Sequence, residues 1–334
     1  MSRQLTSGVL GRKKKAVAPE FIILVDTTLA GSASDTMQLP IRGTDMTIDW
    51  GDGIIETGIT QTSVPSSANW RTHIYPDGGG VKQIKITGLD WIYFNDQGDI
   101  LKLLEIQNWG TGQWASMASA FRGCSNMTGT FTDVPDLSNV TSMNSMFYLA
   151  TNFNSDISSW AVGNVTNMGM MFRQATNFNS DISGWNTANV ENMSIMFRQA
   201  DNFNSDISNW NVGNVTNMSW MFQGATAFNS DISSWDTAKV TNMAAMFYLA
   251  TNFNSDISGW NTANVTNMGT MFREADNFNQ DLSGWCVEKI ASRPNNFDNA
   301  ANSWIYNTNG DTGSTDGVDP ATIINRPIWG TCPQ

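Results

Sequence analysis

Six aspartates, Asp156, Asp181, Asp206, Asp231, Asp256 and Asp281, recur at one constant interval, and a repeated carboxylate suits three kinds of chemistry. It can cap a turn by accepting backbone N–H groups, or bridge calcium between neighbouring segments. In pairs roughly 5 to 9 Å apart, carboxylates can also cleave glycosidic bonds. The motif lacks several oxygen ligands at loop spacing, which weighs against calcium. Repetition of one carboxylate in every unit weighs for architecture over catalysis. The loop from Asn307 to Gly317, with Asp311 and Asp316, is a second calcium candidate of the same kind. Asp49 and Asp52 flank a turn, and the single histidine, His73, lies in a strand motif. No Ser/His/Asp set, phosphate-binding glycine loop or histidine-rich metal cluster can be assembled. We therefore assign no catalytic, cofactor or metal residue and expect no enzyme activity, with a polysaccharide-degrading enzyme as the competing reading of the aspartates.

The elements that position these aspartates are tandem repeats. Trp160 through Trp285, Val140 through Val265, Met143 through Met268, the pair Met146-Phe147 through Met271-Phe272, and Phe153 through Phe278 each recur with the same 25-residue spacing as the aspartates, giving six copies over residues 140–289. Within one unit, Met168, Met171, Phe172 and Ala175 stand at i, i+3, i+4 and i+7, the stripe of a short helix, with Thr166 or Asn167 as N-cap. Phe178 to Trp185 reads as a short strand, in which Trp185 has the wrong parity and needs a turn or bulge near Ser183-Gly184 to face inward. One strand and one helix in every repeat is the build of a leucine-rich-repeat-like solenoid. Stacking at roughly 4.8 Å then lines identical residues into ladders, with Met, Phe, Ile and Trp forming the core.

The ends differ. Phe21 to Val25, Met46 to Trp50, His73 to Tyr75 and Val81 to Ile86 alternate or run apolar between Gly/Asp turns, as in a small β-sandwich. The expected fold is thus α+β. A basic tail (1–19) leads into a β-sandwich (20–108) and a degenerate first unit (109–139), followed by six repeats (140–289) and a C-terminal cap (290–334). In the cap, Arg293-Pro294 should stop the pattern, and the stretch from Ile323 to Pro333 should cover the last coil. Cys124 falls where full units place Ala150 and Ala175 and reads as a buried small residue. Cys286 and Cys332 could pair as a disulfide in an oxidising setting.

The net charge is −12, yet Arg3, Arg12, Lys13, Lys14 and Lys15 precede every acid, so the remainder carries about −17. Such a body repels nucleic acid and anionic membranes. No apolar run long enough to span a membrane occurs, and no apolar segment of a secretion signal follows the basic head. Neither nucleic acid nor membrane insertion is expected. Arg12, Lys13, Lys14 and Lys15 could dock the tail on a partner, the alternative being a solvated charge run.

The unit Asn-Val-Thr-Asn-Met-x-x-Met-Phe-x-x-Ala-x-x-Phe-Asn-x-Asp-Ile-Ser-x-Trp resembles the repeat of BspA-type surface proteins and mycoplasma lipoproteins. Asp49-Trp50-Gly51-Asp52-Gly53 with His73 and Tyr75 resembles the PKD-like β-domain that often precedes it, and Trp329 to Pro333 resembles the C-terminal cap of such proteins. The resemblance runs from about residue 20 onward and implies a leucine-rich-repeat-like fold with an adhesive or binding role. Similar repeats occur in phage genomes, so the expected protein is a virion component, in a tail or capsid decoration, within an oligomeric assembly. It would hold other virion proteins through its tail and a host surface protein or glycan through its repeats. A cell-surface adhesin and a purely structural virion protein are the alternatives. A ligand should meet positions that vary while the frame stays fixed: Tyr148, Arg173, Arg198, Gln223, Tyr248 and Arg273, of types common at binding hot spots. A solvated face at these positions, or glycan binding by the Asn/Ser/Thr face, fits the same pattern.

Overall fold

The structure, a computed structural model, describes residues 20–299, 301, 303 and 325–333. The basic residues Arg12 to Lys15 and the loop carrying Asp311 and Asp316 lie outside them. Seven strands come from the N-terminal part: β1 (Phe21–Asp26), β2 (Thr36–Leu39), β3 (Ile41–Asp49), β4 (Ile55–Gln61), β5 (Arg71–Ile74), β6 (Val81–Ile92) and β7 (Leu103–Asn108). In β1 the even spacing of Phe21, Ile23 and Val25 sends all three inward, the period-two burial of a half-covered strand. The larger sheet has the order β4-β3-β6-β1-β7-β8, and β2 pairs with β5 in a smaller one.

The last strand of the larger sheet, β8 (Thr128–Gly129), belongs to the first coil of the repeats and pairs in parallel with β7. The repeat stack therefore grows from the edge of the N-terminal sheet. Phe21, Trp109, Trp114 and Phe121 pack edge to face across this junction, and one hydrophobic core runs from Phe21 to Phe297.

The repeats contain neither the helix nor the strand that their spacing predicts, and the fold is all-β, not α+β. The segment from Met143 to Ala150 is a chain of turns. Met146, Tyr148 and Ala150 donate N–H to the carbonyls of Met143, Ser145 and Phe147, three residues back. The intervening N–H groups of Met143, Ser145, Phe147 and Leu149 donate instead to Asn167, Gly169, Met171 and Arg173 of the next coil, all at 2.9 Å. An α-helix would spend every interior N–H on its own i−4 carbonyl and leave nothing to bind the neighbouring coil. Two residues per coil take left-handed backbone to make this possible, Ser145 (φ 58°) and Leu149 (φ 63°) here, Met170 (φ 57°) and Gln174 (φ 56°) next. Such a conformation costs a non-glycine residue about 1–2 kcal/mol, which the four intercoil bonds, at about 0.5–1.5 kcal/mol each, offset together with core burial. Successive turns bring positions 0, 3, 4 and 7 to one side, as a helix would, so Met143, Met146, Phe147 and Ala150 are buried all the same.

The stretch read as a strand is likewise irregular. Residues 178–185 make no strand pairing, and parallel pairing between full repeats is reduced to single bridges ahead of the Met-Phe turns, linking Ser142, Asn167, Asn192, Asn217, Asn242 and Asn267 in series. Trp185 does reach the core through a turn at Ser183-Gly184, its N–H donating to Ile182 at 3.2 Å. Its indole N–H donates 3.1 Å to the Ile157 carbonyl of the preceding coil, and the bond repeats at Trp210, Trp235, Trp260 and Trp285. Stacked Phe147, Phe172, Phe197, Phe222, Phe247 and Phe272 complete the core.

A stack ends on unpaired backbone groups, and buried ones must find partners. At the N-terminal end, N–H groups of Phe94, Asn95 and Asp96, just past β6, serve the carbonyls of Ala120, Ser119 and Arg122. At the other end the turn ladder does not stop at Arg293-Pro294. Asn295, Phe297 and Asn299 accept from Thr270, Phe272 and Glu274, so a further turned segment follows the sixth full repeat, slightly out of register. Residues 325–333 cover it. The buried Asp298 carboxylate is held by Arg293 and Arg326, Trp329 packs edge-on against Phe297, and Cys286 is disulfide-bonded to Cys332, 46 residues on. Replacing Cys332 with Ser should lower stability by about 4 kcal/mol on the chain-entropy account of a loop this long. A lowered urea midpoint checks this, and an unchanged midpoint would contradict it. Cys124, the remaining free cysteine among the described residues, is buried, and burial pushes its thiol pKa well up.

Candidate functional site

Each coil carries one side chain off the core directly after the inward Phe, at the first central position of the turn that ends in Ala, half-buried in every full repeat but that of Gln223. The next residue is the left-handed one, so the turn geometry repeats from coil to coil and the outward side chains stack in register. This brings Tyr148, Arg173, Arg198, Gln223, Tyr248 and Arg273 into a single row. The guanidinium of Arg173 lies 4.6 Å from the centre of the Tyr148 ring, and Arg122 covers the other side at 4.8 Å. Arg198 stacks on Trp220 at 5.0 Å, Trp220 meets Tyr248 edge-on at 6.4 Å, and Arg273 lies 5.2 Å from Tyr248. Arg122 and Trp220 belong to the row although the repeat pattern alone does not show it. Arg122 sits in the degenerate coil, out of register with Tyr148 by a single position. Trp220 occupies the earlier left-handed position (φ 60°) of its coil.

The members of the row are not equivalent. Gln223 is buried at 4% exposure, and its Oε1 accepts 2.5 Å from Arg198 Nε, so Gln223 holds Arg198 and presents little itself. Both ends of the row are neutralised, by Glu274 at 2.9 Å from Arg273 and Asp96 at 3.9 Å from Arg122. Arg173 and Arg198, adjacent in the middle, have no carboxylate partner among the described residues. The Nε of Arg173 is buried without an acceptor. Four of the six cations between residues 109 and 290 fall in this one row.

The aspartate ladder is turn architecture. Asp156, Asp181, Asp206, Asp231, Asp256 and Asp281 each accept the N–H two residues on, at 2.9–3.0 Å. The hydroxyl and N–H of Ser158 hold the Asp156 carboxyl below the usual carboxylate range. The N–H and hydroxyl of Ser183 do the same for Asp181 against the repulsion of Asp156 and Asp206. No cluster of three or more His, Cys, Asp or Glu able to hold a metal ion occurs among the described residues. The Asn face is also committed to structure. Oδ1 of Asn154, Asn179, Asn204, Asn229 and Asn254 accepts the backbone N–H of the asparagine in the next coil.

In the N-terminal part, Asp49 and Asp52 cap the turn between β3 and β4 by accepting from Gly51 and Ile54, each at 3.0 Å. Asp52 Oδ2 also lies 2.8 Å from His73 Nε2, His73 stacks on Trp50 at 4.7 Å, and Tyr75 donates to the Trp50 carbonyl at 3.1 Å. Burial raises the Asp52 pKa, but the His73 bond and the Ile54 N–H outweigh it and hold the carboxyl low. The polar contacts of this cluster are thereby turned inward on its own fold. The sequence pattern also misses a buried pair, Asp99 and Lys102, both fully enclosed.

The chain matches twice the sequence profile of the family described as "Mycoplasma protein of unknown function, DUF285", over residues 115–225 and 205–308. No curated protein and no solved structure matches it.

Proposed function

We propose, from the premise that the chain belongs to the family described as Mycoplasma protein of unknown function, DUF285, that it is a non-enzymatic binding protein whose stacked coils display the arginine–aromatic row to a surface ligand. The observation that carries this is the unmet charge of Arg173 and Arg198 in a chain that is otherwise strongly acidic. A protein that needed these arginines only for solubility would not stack them on Tyr148 and Trp220, and would gain from a neighbouring carboxylate. Arginine and large aromatics presented together are the residues that dominate binding energetics.

The finer reading is a BspA-like adhesive protein with a PKD-like β-domain ahead of its repeats. The inward-turned cluster of Trp50, Asp52, His73 and Tyr75 supports the second part. A virion tail or capsid decoration is the setting we propose, with the basic run Arg12 to Lys15 as the docking element, and the presence of the protein in purified particles tests it. The row is tested by binding of the purified protein to intact host cells. Reversing both central charges (R173E, R198E) should reduce binding at least tenfold. Undiminished binding by that variant would remove the row as the receptor site.

A further inference from the structure

Charge, stacking and spacing in the middle of the row go further than a generic binding face. Stacking on Tyr148 and Trp220 uses one face of each guanidinium and leaves N–H edges in plane, the geometry that takes a carboxylate or sulfate through two parallel bonds. On Arg173 no such bond is made within the described chain; its Nε is enclosed, while the residue is only half-buried, so the edge formed by its two terminal nitrogens is the one an anion would meet. Two guanidiniums one coil apart also repel each other. Burial and the neighbouring Arg173 both weaken the hold of Arg198 on its proton, and an anion between them would relieve this.

We propose, on the reading of the row as the binding face, that Tyr148, Arg173, Arg198 and Trp220 form a site for an anionic polysaccharide. The two arginine edges take an acidic group, and sugar rings lie against the exposed parts of the flanking aromatics. The coils repeat at roughly 4.8 Å, so a ligand that is itself a repeating polymer meets equivalent backbone on each coil and the aromatic Tyr248 beyond the central site. Nucleic acid fits less well. Its charge density is high, the remainder of this chain carries about −17, and the row itself offers only two cations without a carboxylate partner to offset the repulsion. A polysaccharide with one charge per sugar or fewer needs no more than that pair.

The test is calorimetric titration of the full chain with polygalacturonate, dextran sulfate, unsubstituted dextran and single-stranded DNA at about physiological salt. The first two probes distinguish carboxylate from sulfate as the anion, and dextran supplies the same backbone as dextran sulfate without charge. Binding to at least one of the charged polysaccharides is expected, with none to dextran and weaker binding to DNA. The double variant R173K, R198K keeps the charge but loses the planar fork, and should bind at least tenfold more weakly while remaining folded by circular dichroism. Tyr148→Ala should weaken binding to the same probe. Equal affinity of the lysine variant, equal binding to dextran or DNA, or no binding to either charged polysaccharide would each overturn the proposal. If cell binding falls with R173E, R198E while no charged polysaccharide binds, the row remains the binding face and the ligand class assigned here is wrong.

Discussion

Trp210→Ala is expected to destabilise the protein by about 3–5 kcal/mol, the range for truncating a large buried aromatic. Trp210 is 3% exposed, stacks on Trp185 at 6.3 Å and lies 6.2 Å from Phe197. Its indole N–H donates to the Ile182 carbonyl at 3.0 Å. The substitution opens a cavity between coils and removes the intercoil hydrogen bond as well. Each coil touches only its neighbours, so the loss falls on two interfaces in the middle of the stack. Trp210→Phe separates the two terms: it keeps an aromatic ring but removes one of the two donors to the Ile182 carbonyl, which retains the Trp185 N–H at 3.2 Å, a loss of about 0.5–1.5 kcal/mol. Trp160 provides the control within the same ladder. Its indole nitrogen has no acceptor in the irregular coil before it, so Trp160→Phe should cost less than Trp210→Phe. Urea unfolding of the three variants checks the order, and a loss under about 1 kcal/mol for Trp210→Ala would contradict a core built on the tryptophan ladder.

The second large effect lies in the N-terminal part. Lys102 is fully buried, its ammonium donating 2.8 Å to the Thr36 carbonyl, 2.9 Å to Ala33 and 3.0 Å to Ser32 Oγ, with Asp99 at 3.5 Å. Asp99 in turn accepts from the N–H groups of Ser32 at 2.6 Å and Gln38 at 2.7 Å and from the Ser32 hydroxyl at 2.8 Å. The pair thus ties the loop before β2 to the chain that enters β7, the strand on which the repeats are built. Lys102→Met should cost about 3–5 kcal/mol, because it leaves a buried carboxylate and four carbonyl or hydroxyl oxygens, the Ser32 carbonyl at 3.2 Å among them, without their cation. The cost reflects the uncompensated partner more than the worth of the pair. Lys102→Met combined with Asp99→Asn should therefore be less destabilised than the sum of the two single changes. Thermal unfolding of all four proteins measures the coupling, and strict additivity would contradict a buried pair acting as a unit.

Much of this architecture is legible in the sequence, and the part that is not has a definite cause. The constant repeat period gives the stack, its core ladders and the inward tryptophan, because each depends only on identical residues recurring at equal spacing. The same pattern misreports local structure. Apolar residues at 0, 3, 4 and 7 fit an α-helix and a chain of turns equally well, and what separates them is backbone handedness. The left-handed positions carry Ser145, Leu149, Met170, Gln174, Ile195 and Gln199, residues that ordinarily avoid that region and so give no warning. Gly123 (φ 85°) and Gly224 (φ 68°), at the later left-handed position of their coils, are the two places where the turn shows in the sequence.

The candidate site was legible as a column of variable residues and no further. That Gln223 braces Arg198, and that Glu274 and Asp96 neutralise the ends, follows from contacts between coils. That Trp220 joins from a different repeat position follows from the turn geometry. The aspartates illustrate the opposite case. An Asx turn is a local interaction over two residues, so Asp-Ile-Ser reports it directly, and the ladder of carboxylates is a by-product of stacking. The proposed function therefore rests where the repeat departs from itself, on side chains carried by a frame that is otherwise constant.

The most direct test of that placement compares two variants with the same change in net charge. R173E, R198E alters the centre of the row. K239E, K289E alters the other two cations between residues 109 and 290, which are exposed and bonded to Asn214 and Asn264. Binding to intact host cells should fall at least tenfold for the first variant and stay within about twofold of the unaltered protein for the second, with both folded. Equal binding by the two variants, whether lost or retained, would contradict the assignment of the arginine–aromatic row as the site.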